Sequence, residues 1–198
     1  GRVSAVEGLG LENVGIQVGE RGKILVDSNF RTNIPNIFAV GDVIGFPALA
    51  STSANQGRIA ALTAFNLNYK VVDYPLPFGI YSIPEISMVG LTEDEATEKS
   101  IPYEVGVARY KDCARGAIIG DLEGLMKILF HRKDKSILGV HIIGESSAEL
   151  IHIGQTVMSL KGNLQYLLDV VFNFPTLAEC YKIAAYNCFN KFQAAEEL

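Results

Sequence analysis

The chain has 198 residues, 48% of them hydrophobic, and carries a net charge of −5 with a pI of about 5.2. That length and apolar content predict a packed core, in one large domain or one domain plus part of another, and exclude a disordered chain. The acidic balance argues against non-specific nucleic-acid binding, and no uncharged apolar run approaches the roughly 18 residues that would span a bilayer.

In chain order, residues 1–75 read as a first unit. Gly8-Leu9-Gly10 lacks the third glycine and the preceding strand of a dinucleotide fingerprint. Lys23–Asp27 is predicted as a short strand after a turn at Arg21-Gly22. Ile37–Val40 is apolar on consecutive residues, as in a strand buried on both faces, and it ends on Gly41 and Asp42. After the Gly45-Phe46-Pro47 loop, an alanine-rich helix is predicted from about Ala48 to Phe65. A strand, a glycine, a carboxylate and a helix start can hold a polyhydroxylated, phosphate-bearing cofactor. Gly41 admits ligand atoms close to the backbone, and Asp42 can accept from sugar-like hydroxyls. The helix start aims unpaired N–H groups at the same place. Asp42 by itself also suits a turn or an N-cap. Asp73–Phe78, with Pro75 and Pro77, reads as a linker.

Residues 76–198 read as a second, mixed unit. Extended candidates are Ile80–Val89, Tyr103–Tyr110, Leu125–Phe130 and Ile137–Ile143. Thr92-Glu93-Asp94-Glu95 opens a short helix with a capping-like threonine and a solvated acidic turn. Glu145–Leu160 is predicted helical, with Leu150, Ile153, Val157 and Leu160 at three- and four-residue steps. Thr176–Phe192 is predicted helical too, burying Leu177, Ile183, Ala184 and Phe189. Strands grouped with flanking helices indicate an α+β domain with an antiparallel sheet.

Few other residues suggest chemistry. Cys113, Cys180 and Cys188 lack the pairing of a disulfide framework, and their pattern is that of small buried hydrophobes. His131, His141 and His152 have no ligand spacing, so no metal site is expected. Lys127, Arg132, Lys133 and Lys135 read as a hairpin surface. With no signal peptide and no glycosylation sequon, a cytoplasmic location is the expectation.

Thr32-Asn33-Ile34-Pro35-Asn36-Ile37-Phe38-Ala39-Val40-Gly41-Asp42 resembles the second FAD-binding signature of the two-dinucleotide flavoprotein reductases, the pyridine nucleotide-disulfide oxidoreductase family. Tyr81-Ser82-Ile83-Pro84-Glu85-Ile86, Val89-Gly90-Leu91-Thr92-Glu93, and His141-Ile142-Ile143-Gly144-Glu145 with Ala148-Glu149-Leu150-Ile151 are similar to that family's C-terminal dimerisation domain. The resemblance covers essentially the whole chain. It implies that residues 1–75 are an incomplete return segment of an FAD-binding α/β domain and that residues 76–198 form the homodimerisation domain. Gly1-Arg2, without a methionine start, and Leu9-Gly10-Leu11-Glu12-Asn13-Val14-Gly15 imply a fragment in which an NAD(P) domain precedes these residues. By the same resemblance Asp42 holds the ribityl chain, and Leu49, Ala50 and Ser51 present a helix terminus to the flavin carbonyl edge.

One departure decides the activity that the resemblance implies. Disulfide reductases of the family carry an acid–base histidine in a His-Pro-Thr segment, followed by a glutamate. Here the segment is Asn173-Phe174-Pro175-Thr176-Leu177-Ala178-Glu179, so Phe174 replaces the histidine while Glu179 remains. A phenyl ring transfers no proton. The chain most resembles the family's soluble pyridine nucleotide transhydrogenases, which pass hydride between NAD(H) and NADP(H) through FAD. That reaction needs no protein acid or base, only stabilisation of charge on the reduced flavin. The isolated chain, without the GxGxxG site, is expected to be inactive. The alternatives are a dihydrolipoamide dehydrogenase-like reductase with a degenerate base and a homodimerisation module that never binds flavin. The resemblance further implies a cis Phe174–Pro175 bond, and exposed apolar surface around the 145–160 and 176–190 helices.

Overall fold

A computed structural model describes residues 3–67, 69 and 74–196. The chain divides into two units, 1–72 and 73–198.

The first unit has one long helix, and its remaining described backbone is mostly turns. After a short helix α1 (Leu11–Val14) and a 3-10 turn at Glu20–Gly22, the chain runs through loops to a second 3-10 turn, Gly41–Ile44, and then α2 (Ala50–Ala64). The two strands expected here form only isolated bridges, Val18 to Ile24 and Arg31 to Phe38. Ile37–Val40 is an extended segment in which Ala39 is buried and its three companions are half-buried, not a strand covered on both faces. The physical reason is a lack of neighbours. Its backbone bonds run to Phe30 and Thr32 on one side, and no further strand among the described residues continues the ladder.

The second unit carries a five-stranded sheet in the order β1-β2-β5-β4-β3, antiparallel throughout. The strands are β1 (Pro77–Ile80), β2 (Ile86–Gly90), β3 (Tyr103–Arg109), β4 (Leu125–His131) and β5 (Ile137–Ile143). Expected strand Ile80–Val89 is really a hairpin, broken where Tyr81–Glu85 make the loop, and Pro77 and Phe78 belong to β1. Pro77 is tolerated there because it opens an edge strand. Period-two alternation places Val89, Val140, Ile128 and Gly106 in one row across four strands, with Ser87, Ile142, Met126 and Ala108 in the next. Of these, Val89, Val140, Ile128, Ile142, Met126, Ala108 and Ser87 are all buried.

Two helices share that face. α5 (Ser147–Ser159) packs on β1, β2 and β5, and α7 (Glu179–Glu196) on β3 and β4. Shorter helices are α3 (Glu93–Glu98), α4 (Ala114–Ile119) and α6 (Leu164–Asp169). The α3 start is a full capping box, with the Glu95 N–H donating to Thr92 Oγ1 and the Glu95 carboxylate accepting from the Thr92 N–H.

Two helix readings need correction. α5 begins at Ser147, not Glu145, because Ser146 takes a left-handed conformation and the Glu85 carboxylate accepts the Ala148 N–H. Its buried residues are Ser147, Ile151, Gly154 and Val157, whereas Leu160 is exposed. α7 starts three residues later than expected, since Thr176–Ala178 close i→i−3 turns onto Glu179, Cys180 and Tyr181. Its core residues are Cys180, Tyr181, Ala184, Ala185 and Cys188, with Ile183 and Phe189 only half-buried.

Candidate functional site

The expected cofactor residues meet at one turn of the first unit. Thr32, buried, closes the 32–37 loop: its hydroxyl donates to Ile37 O at 2.9 Å and accepts the Ile34 N–H at 3.1 Å. This delivers the extended segment to Gly41, whose φ of +79° is left-handed and suits a residue without Cβ. The 3-10 turn then closes with the Gly45 N–H on Asp42 O at 3.0 Å. Asp42 is exposed and lines a cavity of about 510 Å3 together with Ser4, Arg21, Lys23, Gly45 and Phe46. Gly41 lies buried behind it.

Leu49 is the N-cap of α2, with Ala50 and Ser51 the first helical residues, and no side chain caps their amides. A helix start without side-chain caps leaves N–H groups and a partial positive charge for an anionic or carbonyl ligand. These three residues lie just past Ala48, the last residue lining the cavity, so Asp42 and the helix end are neighbours and not walls of one pocket. A carboxylate acceptor and amides without side-chain caps fit the hydroxyls and the carbonyl edge of a flavin dinucleotide. Sequence reasoning missed Gln56, whose Oε1 accepts the Gly41 N–H at 2.7 Å. The available signal was its spacing, three and four residues before the apolar Ile59 and Ala60 and so on one face with them.

The second locus is the Phe174 loop. Phe174 is 75% exposed and its bond to Pro175 is cis, as expected; Phe46–Pro47 and Ile83–Pro84 are cis as well. The loop is held from behind. Thr176 Oγ1 donates to Asn173 O at 2.7 Å, Cys113 Sγ to Thr176 O at 3.1 Å, and Lys182 Nζ to Val170 O at 2.7 Å. Glu179 Oε2 accepts the Thr176 N–H at 3.4 Å, half of a Thr-x-x-Glu capping box. That bond gives Glu179 a use that requires no imidazole.

The remaining candidates are structural. All three cysteines are buried; burial pushes the Cys188 thiol up to about 12 and Cys180 higher still, so neither is a thiolate nucleophile near neutral pH. His131 bonds Asp134, His141 bonds Leu91 O, and His152 bonds Gln155. Lys127 lies in β4 of the β4–β5 hairpin and pairs with Glu93 from the acidic turn, and Arg132 pairs with Glu104. Among the described residues no group of three potential metal ligands gathers, and no helix is long and apolar enough to cross a membrane.

Comparison with known proteins covers both units. The family model of the pyridine nucleotide-disulphide oxidoreductase dimerisation domain matches residues 76–185, and that of pyridine nucleotide-disulphide oxidoreductase matches residues 1–57. A soluble pyridine nucleotide transhydrogenase of Mycobacterium tuberculosis is 52% identical over 197 residues, which is 100% of this chain and 42% of that protein. One from Pseudomonas entomophila is 49% identical over 195 residues, covering 96% of this chain and 42% of its own length. Among solved structures, the HOCl-induced flavoprotein disulfide reductase RclA from Escherichia coli aligns with a TM-score of 0.85 at 28% identity, over 96% of this chain and 43% of that one. LpdA from Mycobacterium tuberculosis aligns with a TM-score of 0.83 at 28% identity, over 93% and 40%. The chain thus spans about 42% of the length of the curated relatives it matches.

Proposed function

The chain belongs to the pyridine nucleotide-disulphide oxidoreductase family, and on that premise we propose that it serves an FAD-dependent NAD(P) transhydrogenase. Residues 1–75 are the return segment of its FAD domain, and residues 76–198 its homodimerisation domain. The observation that carries the reading is Phe174, an exposed phenyl ring on a braced loop where a disulfide reductase needs a proton carrier. The 49–52% identity to soluble transhydrogenases supports the same choice. A cytoplasmic location goes with it, since the nicotinamide pools lie there.

The residues present fit a flavin. Asp42 would hold the ribityl chain by accepting hydrogen bonds from its hydroxyls, and Gly41, from behind, would set where that carboxylate stands. Leu49, Ala50 and Ser51 would offer the uncapped α2 amides to the flavin's carbonyl edge, where a helix start stabilises negative charge. When bound, the flavin supplies a two-electron carrier between one nicotinamide and the other. Phe174 adds no proton, because a phenyl ring carries none to transfer.

The test uses the full-length, flavin-loaded protein. Reduction of an NAD analogue by NADPH is expected, with no comparable turnover of lipoamide or glutathione disulfide. Faster disulfide reduction than hydride transfer between nicotinamides would overturn the assignment. The 198-residue chain by itself is expected to show no hydride transfer.

A further inference from the structure

The cofactor turn has two working parts, the Asp42 carboxylate and the open amide end of α2, and they serve one ligand only at a fixed spacing. Gln56 ties them together. It sits in the second turn of α2, is 7% exposed, and its Oε1 accepts the Gly41 N–H at 2.7 Å. Ser53, three residues earlier and so on the same helix face, stands against Gly41: a Cβ there would lie 3.3 Å from Ser53 Oγ. Gly41 is thus held from the helix side while the next residue, Asp42, faces the cavity. A buried N–H without an acceptor is costly, so Gly41 follows wherever the Gln56 carbonyl goes.

We propose that Gln56 is a positioning residue for the flavin, setting through Gly41 where Asp42 stands relative to the first turn of α2. This rests on the flavin reading above. Gln56 touches no part of the cofactor itself. Its contribution is the acceptor oxygen, which a carboxylate of the same length also supplies and a thioether of similar volume does not.

The experiment compares the full-length protein with its Gln56→Met and Gln56→Glu variants, reading FAD retention after desalting, FAD affinity on reloading, and the position of the visible flavin band. Circular dichroism first establishes that each variant is folded. Gln56→Met is expected to bind FAD roughly tenfold more weakly, the scale of one lost hydrogen bond, with a shifted band. Gln56→Glu is expected to restore both. Should Gln56→Met not fold, Gln56→Asn, one methylene too short to reach Gly41, takes its place with the same expectation. Unchanged affinity in the Met or Asn variant, or a Glu variant as weak as they are, would overturn the Gln56 role alone. A wild-type protein that takes up no FAD would instead remove the flavin reading, and the positioning role with it.

Discussion

Tyr181 shows how a single hydroxyl holds two helices. Its ring is fully buried, its O–H donates to Leu150 O at 2.8 Å, and it accepts the Gly154 N–H at 3.0 Å. Leu150 and Gly154 are an i, i+4 pair of α5, so the α7 tyrosine stands in that helix's own hydrogen-bond ladder. Tyr181→Phe is expected to lower stability by about 1–3 kcal/mol, because two buried backbone groups lose their partner. Urea denaturation reads this directly, and an unchanged midpoint would mean that α5 closes the bond itself. Residue-scale detail of this kind is invisible in sequence, where Tyr181 is one more aromatic in a helical pattern. Phe174 was legible because it sits in a fixed frame, between Asn173 and Pro175-Thr176. Gln56 was not, because its role depends on a backbone N–H fifteen positions away.

At the scale of elements, the close approach of α7 to β3 depends on Gly106. A Cβ at that position would lie 2.2 Å from the carbonyl oxygen of Ala184, which a backbone atom cannot yield. Gly106→Ala is expected to cost about 1–3 kcal/mol by forcing strand and helix apart, seen as a lowered melting temperature. A smaller loss, about 1 kcal/mol, is expected for Thr92→Ala, which removes the side-chain half of the α3 capping box. The capping box, β5 and most of β3 and β4 were readable, since alternation and caps are local signals. The Ile80–Val89 run was misread because its β-branched residues conceal a turn whose loop, Tyr81–Glu85, carries Pro84 as its only strong breaker. The Ile37–Val40 segment was misread for the opposite reason: apolar content predicts burial, but a strand also needs neighbours to pair with. Leu160 was placed in the core by periodicity alone, whereas α5 ends there and leaves it exposed.

For the molecule as a whole, pH and surface chemistry give the sharpest expectations. His141 faces Lys127 on β4 and Glu93 and Glu95 on α3, and its Nε2 bonds Leu91 O at 3.0 Å. Burial, the largest influence, holds its pKa below the ordinary value of 6.5. The unfolded chain therefore takes up that proton first. The His141 contribution to stability is complete above pH 6.5 and is lost as pH falls from there through the lower folded value. Denaturation measured between about pH 5 and pH 8 is expected to show this decline, and His141→Gln to flatten it. On the surface, Phe174, Val171, Leu160 and Tyr186 leave apolar area beside α5 and α7, and the β1–β2 hairpin adds Ile80, Tyr81 and Ile83. That is the surface which the proposed homodimer through the second unit would cover.

On the proposed function, the braced Phe174 loop serves hydride transfer without a protein acid or base. The most direct measurement is the pH profile of kcat/KM for NADPH-to-NAD hydride transfer by the full-length protein, beside its Phe174→His variant. The wild-type profile is expected to be flat from about pH 6 to pH 9, and the variant profile to gain a histidine-like inflection. A wild-type profile that itself titrates with a single group near pH 6.5 would contradict it.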